Sequence, residues 1–381
     1  MKIIVSPNSY KESLSSIDAA NIIVSVLKKN LKNSQIIDLP IADGGDGSLG
    51  VFSKYKNGIT ISTKILSPVG KKINSKYLLF DNGNSAFIEL SDSSGLKLVN
   101  KSLRNPLMYN SYYTGKIILS AIKKGAKKII IALGGSATVD GGIGILSALG
   151  VKFLNKDGLE LKNKNFINSI SKIEYKKKFF SNIDFILLTD VKNRLLGENG
   201  ASYVFAKQKG ATKLQIDQLE NGLSNFSKLT RKKFKLNPEK IIGGGSAGGI
   251  AAFLKIFLNA QIYSGTEYFF QIMKFEKNIK NADILITGEG NIDSQTLQGK
   301  APFEVAKKAK KKGLLTIALV ASVDSEAYFE LNKFFDIIIP FKKKSIKYSI
   351  KNAKKLIKDE TETLSKIISL SEIGNWYFYL I

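Results

Sequence analysis

Residues 284–302 read ILITGEGNIDSQTLQGKAP: an apolar triplet, a polar glycine-rich segment, then the start of a predicted helix near Ala301. Strand, polar turn and helix in that order make the repeating unit of a doubly wound sheet, which binds ligands at the carboxyl ends of its strands. The order recurs at the other end of the chain. Ile3-Ile4-Val5 leads into the polar residues 6–15, an amphipathic segment over 16–29 and a second short run over 35–39. Beyond Ala301 the spacing predicts a helix to about Lys312, strands over 316–320 and 337–339, and a lysine-rich helix from about Ser345. Short apolar strands alternating with helices read as βαβ units around a buried parallel sheet.

The middle of the chain reads differently. Residues 60–98 alternate in polarity and turn often, as at Asp81-Asn82-Gly83-Asn84, which predicts antiparallel strands. Ile129-Ile130-Ile131-Ala132-Leu133 and Phe185-Ile186-Leu187-Leu188 then read as buried strands of a second α/β unit. We therefore expect an α/β fold of two domains. One is a discontinuous doubly wound, flavodoxin-like parallel-sheet domain (1–61 plus 281–381). The other is an inserted α/β domain with a mixed sheet (62–280), and the cleft between the two is the expected site.

Composition narrows the chemistry. The 381 residues carry a formal charge of +26, but only Arg104, Arg194 and Arg231 of the 58 basic residues are arginine. Nucleic-acid readers lean on arginine for bidentate contacts, and these lysines are scattered, so no nucleic-acid partner is expected. With no histidine and no cysteine, the usual general base, disulfides and soft-metal sites are excluded. Carboxylates, lysines, hydroxyls, backbone amides and a hard cation remain. Residues 1–7 do not read as a signal peptide, and Lys255 interrupts the longest apolar candidate, over 249–263. A soluble cytoplasmic protein without a membrane partner is expected. The aromatic tail over 374–381 either docks on the body or mediates self-association, so a homo-oligomer stays open.

Four segments that follow apolar runs carry candidate chemistry. Residues 6–15, with Ser9 and Lys11, offer hydroxyls and an ammonium for an anion, or a plain helix cap. Residues 42–48 place Asp43 and Asp46 around adjacent glycines, suited either to Mg²⁺ through oxygen or to an Asx-type turn. In residues 133–144, Gly134 and Gly135 allow close backbone approach to a ligand, with Ser136, Thr138 and Asp140 beside them. Asp190 at the end of its strand is placed as a base or a metal ligand. The GxGxxG at Gly243, Gly245 and Gly248 lacks a preceding strand, and close packing is the expected use of those glycines.

Taken in order, PNSYKESL (7–14), ADGGDGS (42–48), GGSATVDGG (134–142), TDVKNRL (189–195), FAKQKGA (205–211), GGGSAGG (243–249) and TGEGNIDSQTLQGKAP (287–302) resemble the type I bacterial glycerate kinase family along nearly the whole chain. The resemblance implies ATP-dependent phosphorylation of D-glycerate with Mg²⁺. The expected product is 2-phosphoglycerate rather than 3-phosphoglycerate, within organic-acid and glyoxylate carbon metabolism. It casts Asp190 and Lys11 as catalytic, and Ser9, Gly134, Gly135, Ser136, Thr138, Asp140, Lys209, Gln295 and Lys300 as substrate or nucleotide contacts. Asp43, Asp46, Glu289 and Asp293 become the candidate metal ligands. Such transfer asks for positioning and charge neutralisation rather than covalent chemistry, which suits a chain without histidine. The chain departs from the family pattern at Val139 (Asn), Asn291 (Arg), Arg194 (Pro), Asp46 (Glu) and Tyr113 (Gly). The competing reading, a non-catalytic or altered-substrate relative, rests on Val139 and Asn291.

Overall fold

The computed structural model describes residues 1–162, 164–175, 180–292, 300–324, 326–341 and 345–373. Its strands are β1 (Lys2–Val5), β2 (Gln35–Asp38), β3 (Gly58–Leu66), β4 (Lys72–Phe80), β5 (Ser85–Glu89), β6 (Lys128–Ala132) and β7 (Lys152–Leu154). They continue as β8 (Lys172–Glu174), β9 (Asp184–Leu188), β10 (Gln261–Tyr263), β11 (Ile284–Ile292), β12 (Leu315–Val323) and β13 (Ile337–Pro340). The chain divides into two compact units, Met1–Asp43 with Thr266–Ile381, and Gly44–Gly265.

The discontinuous unit holds a sheet in the order β13-β12-β11-β1-β2, with every pair parallel. Counted within the unit this is 2-1-3-4-5, the flavodoxin-like doubly wound order. Ile3, Val5, Ile286, Ile317 and Leu319 point to one face, where they meet Ile23 and Leu27 of helix Ser16–Asn30 and Ile357 and Leu364 of helix Ile346–Ile373. Alternation turns Ile4, Leu285 and Ala318 to the other face. The first helix starts at Ser15, whose Oγ accepts from the Asp18 amide at 3.0 Å.

The central unit is built on a mixed sheet, β10-β9-β6-β5-β4-β3. Pairs among β3, β4 and β5 are antiparallel, whereas β5, β6, β9 and β10 run parallel. Asp81, Asn82 and Gly83 take positive φ (51°, 55° and 85°) in the turn from β4 to β5, as the Asp-Asn-Gly-Asn signal requires. Phe226 stacks on Phe253 at 3.9 Å in the core, and β7 pairs antiparallel with β8 as a separate ribbon.

Aromatic packing sets where along the chain each unit begins and ends. Phe52 of helix Ser48–Tyr55 stacks on Phe87 at 4.2 Å and meets Phe80 edge-on at 5.0 Å, which ties residues 48–55 to the mixed sheet. Residues 266–280 go the other way. Lys308 lies 4.8 Å over the Phe270 ring and pairs with Glu267 and Glu276 at 3.4 Å, joining them to helix Ala301–Lys310.

Candidate functional site

In a 2-1-3-4-5 sheet the chain reverses its winding between the first and third strands, here β1 and β11, and ligands bind at that switch point. The strand ends meet there. Ser6 and Asn8 donate their amides to the carbonyls of Ile286 and Gly288, each at 2.8 Å. β11 is longer than the sequence implied: β12 stays paired with it as far as Ile292↔Val323, so Thr287–Gly288–Glu289–Gly290–Asn291 is strand and not loop. The cause is pairing rather than propensity, since this glycine-rich text has little strand character of its own.

Tyr10 anchors the loop that follows β1. Its ring stacks on Phe341 at 5.8 Å and its hydroxyl donates to the Leu319 carbonyl at 2.7 Å. Burial, and secondarily the neighbouring Glu289, push the phenol's pKa far above its usual value, so it stays a donor. A Cβ on Gly288 would overlap that hydroxyl and the Leu319 carbonyl, which explains the glycine. Glu289 is itself buried. One residue further, the place a Cβ would take on Gly290 lies 3.6 Å from the Lys11 amide. Lys11 is exposed and Ser9 half-buried. The Ile41 amide donates to the Pro7 carbonyl at 3.1 Å, which brings the segment ending in half-buried Asp43 alongside. Of the predicted residues, the structure thus gathers Ser9, Lys11 and Glu289 at the switch point. Lys300 opens helix Ala301–Lys310, its carbonyl accepting the amides of Phe303 and Glu304. Asp293 and Gln295 lie outside the described residues.

In the central unit the carboxyl ends of β5, β6 and β9 lie side by side. β5 ends on Glu89, which the sequence reading missed. Its buried carboxylate accepts the amides of Gly47 and Leu49 at 3.0 Å and the Ser91 hydroxyl at 2.7 Å. Glu89 therefore fills the amino end of helix Ser48–Tyr55, where an outside anion would otherwise bind. Lys97 reaches Asp92 at 2.7 Å, Glu89 at 3.2 Å and Asp46 at 3.4 Å. Burial alone would lower the Lys97 pKa, but these three carboxylates outweigh it and raise it. Loss of water, with Glu89 beside it, raises that of Asp92. Asp46, predicted as a metal ligand, pairs here with the Lys97 ammonium. An acid directly after an apolar run, the pattern that singled out Asp190, was the available signal for Glu89.

The turn after β6 is backbone against backbone. The Gly134 amide donates to the Gly44 carbonyl at 2.8 Å, and a Cβ on Gly134 would overlap Gly45. Gly135 has φ +75°, and a Cβ there would stand 2.9 Å from Asp46 Oδ2. The Ser136 hydroxyl accepts the Thr138 amide at 3.0 Å. Asp140 is fully buried: its carboxylate accepts the amides of Ser111 (2.8 Å), Gly142 (3.1 Å) and Gly144 (3.2 Å) and the Ser111 hydroxyl (2.8 Å). It closes the amino end of helix Ile143–Ala148 as a cap. Val139 is buried in the core, so the amide of the family pattern is replaced by packing.

Lys209, expected to contact a phosphate or carboxylate, is 4% exposed and donates to the Thr138 carbonyl at 2.7 Å. Burial lowers its pKa to about 7, and Asp140 opposes that shift. Asp190, half-buried after β9, accepts from the Ser264 hydroxyl at 2.6 Å. The glycine run packs as expected. Gly245 donates to the Asn193 carbonyl at 2.9 Å, and the Gly248 carbonyl accepts from the Gly141 amide at 2.9 Å. A Cβ on Gly248 would overlap the Thr138 carbonyl. Arg194 lines an open cleft of about 510 Å³ with Lys192, Asn193 and Glu198.

Among the described residues no three acidic side chains converge in a way that would hold a metal ion, and no helix is long and apolar enough to cross a membrane. Mg²⁺ that arrives with nucleotide phosphates keeps most of its waters and takes only one or two carboxylates. Glu289 and Asp43 fit that smaller demand as donors.

An acid at one strand end and an exposed lysine at a switch point are the parts of a phosphotransferase with an alcohol acceptor. Comparison with known proteins bears this out. Residues 3–369 match the model of the glycerate kinase family. A glycerate 2-kinase of Escherichia coli K12 is 37% identical over 329 residues, covering 86% of each chain. A glycerate kinase of Neisseria meningitidis serogroup B is 30% identical over 98% of this chain and 100% of its own. A crystal structure of a "putative glycerate kinase 2" from Salmonella typhimurium LT2 superposes with a TM-score of 0.80 at 32% identity, covering 98% of this chain and all of that one. The chain belongs to the glycerate kinase family.

Proposed function

We propose that the protein transfers the γ-phosphoryl group of ATP to D-glycerate, and that the product is 2-phosphoglycerate. The observation that carries the reading is the meeting of Ser9, Lys11 and Glu289 at the β1/β11 switch point, in a chain whose 37%-identical relative is named for the 2-kinase reaction. Asp190 accepts the proton of the glycerate hydroxyl as its oxygen attacks the γ-phosphorus. The bond to the bridging oxygen breaks, and ADP leaves. Lys11 and Ser9 neutralise and orient the phosphate oxygens, and Lys300 supplies further positive charge. Asp43 and Glu289 are the carboxylates that would hold the Mg²⁺ accompanying ATP, which would supply positive charge to offset that of the phosphates. The setting we propose is cytoplasmic organic-acid carbon metabolism.

The test is a coupled assay with D-glycerate, ATP and Mg²⁺, followed by phosphorus NMR of the product. Glycerate-dependent ADP release and a 2-phosphate resonance are expected. Glycerate binding without ADP release would overturn the kinase reading, and a 3-phosphate resonance would overturn the regiochemistry.

A further inference from the structure

Lys209 is a buried charged group that the proposed transfer does not use. It leaves the short turn Lys207–Lys209 and reaches the Thr138–Asp140 segment, where its Nζ donates to the Thr138 carbonyl at 2.7 Å. That carbonyl also takes a longer bond, 3.2 Å, from the Ser136 hydroxyl. Asp140 is the charged group that acts on the amine, yet its oxygens already receive four hydrogen bonds, from Ser111 (two), Gly142 and Gly144. The ammonium is therefore compensated by one carbonyl and by a carboxylate that already accepts three hydrogen bonds on Oδ2 and one on Oδ1. Gly210 follows with φ +91° and has no room for a side chain against Arg104, so the turn that aims Lys209 inward is itself tightly specified.

A lysine placed this way weakens the fold. Burying an ammonium with so little compensation is unfavourable, a cost that an apolar side chain of similar length avoids. What the amine does provide is a donor to the turn that joins Gly134 and Gly135, at the carboxyl end of β6, to the cap at Asp140. We propose that Lys209 is a positioning residue for phosphoryl transfer, holding the 134–140 turn in its working geometry at the expense of stability. This rests on the glycerate kinase reading above.

The sign of the stability effect follows from the titration. An unfolded lysine titrates near 10.4, whereas Lys209 in the fold titrates at about 7. Below pH 7 both states are charged and the penalty is complete. As pH rises from about 7 to about 10 the folded state has lost its proton while the unfolded state still holds one, so stability climbs.

The experiment compares wild type with Lys209→Met. The variant should have a higher Tm at pH 6.5, an advantage that shrinks towards pH 9.5. Its kcat with D-glycerate and ATP should fall at least about tenfold, with the KM values changing less than about threefold. Greater stability with lower turnover is what a merely structural lysine would not produce. Unchanged kcat, a variant less stable than wild type or unable to fold, or a Tm difference independent of pH would each overturn the proposal. A wild type with no glycerate-dependent turnover would instead overturn the reading beneath it, while the unfolding comparison would still report on Lys209.

Discussion

In the central unit, the glycine-rich turns at the strand ends are closed by the protein's own carboxylates. Glu89 takes the amides of Gly47 and Leu49, and Asp140 takes those of Ser111, Gly142 and Gly144. At the β1 edge of the discontinuous unit the loop closes differently. Backbone bonds to β11 and the Tyr10 anchor hold it, and Lys11 is left exposed. Both regions are rich in hydroxyls after an apolar run, although residues 6–15 contain no glycine. The difference lies in what already fills the amides. A carboxylate in that place makes a turn a rigid support, whereas a loop held by backbone bonds and a buried tyrosine can leave an exposed lysine to meet a ligand.

The largest effect should come from the residue of the central unit that is not a support. Asp190→Asn should lower kcat by about 10²–10⁴ while leaving Tm nearly unchanged, because half-buried Asp190 can keep its bond from Ser264 through the amide oxygen. Near-normal turnover would remove it as the base. Asp140→Asn should behave in the opposite way. It replaces an acceptor of four hydrogen bonds by a group that presents N–H to some of those donors, which should cost about 3 kcal/mol of stability in urea unfolding. If it instead retained stability and lost only nucleotide affinity, Asp140 would be a ligand contact and the comparison would fail.

Glu89→Gln tests the same idea more gently. It keeps one acceptor oxygen but removes the charge that faces Lys97 and the helix amides, for an expected loss of about 2 kcal/mol in urea unfolding. Lys11→Met belongs to the other region. It should leave Tm unchanged and raise KM or lower kcat by about tenfold in steady-state kinetics, since exposed Lys11 supports no packing. Lost stability with unaltered kinetics would class the β1 loop with the supports.

The fold was largely legible because buried strands announce themselves: the five strands of the parallel sheet follow from apolar runs over 3–5, 35–39, 284–286, 316–320 and 337–339. Site roles were less so. Lys11 and Asp190 stand where an exposed or strand-end group was expected, but nothing in FAKQKGA says that Lys209 turns inward. Likewise nothing in GGSATVDGG says that Asp140 caps its own helix rather than offering that end to a phosphate. Such roles depend on which distant backbone arrives next to the side chain. Local text does not carry that. The run from Thr287 to Ile292 teaches the same point, since its strand character comes from pairing with β12 and not from its own composition.

The smallest effect concerns Asn291, where the family pattern has arginine. Asn291 is exposed on β11, two residues beyond Glu289, and its Oδ1 accepts the Ser322 hydroxyl at 2.6 Å across the parallel pair Asn291↔Ser322. The asparagine therefore links two strand ends beside the switch point, a bond a cation there would break. Asn291→Arg exchanges that link for a positive charge near the proposed phosphate and carboxylate contacts. At low ionic strength it should lower KM for ATP or D-glycerate by about threefold, and the gain should fade as salt rises, because an exposed charge is screened over about 10 Å at 0.1 M. A gain that survives high salt would mean a direct, desolvated contact instead. No gain at any salt would mean that Asn291 belongs to the support of β11, and that the boundary between the two kinds of region runs between Gly290 and Asn291.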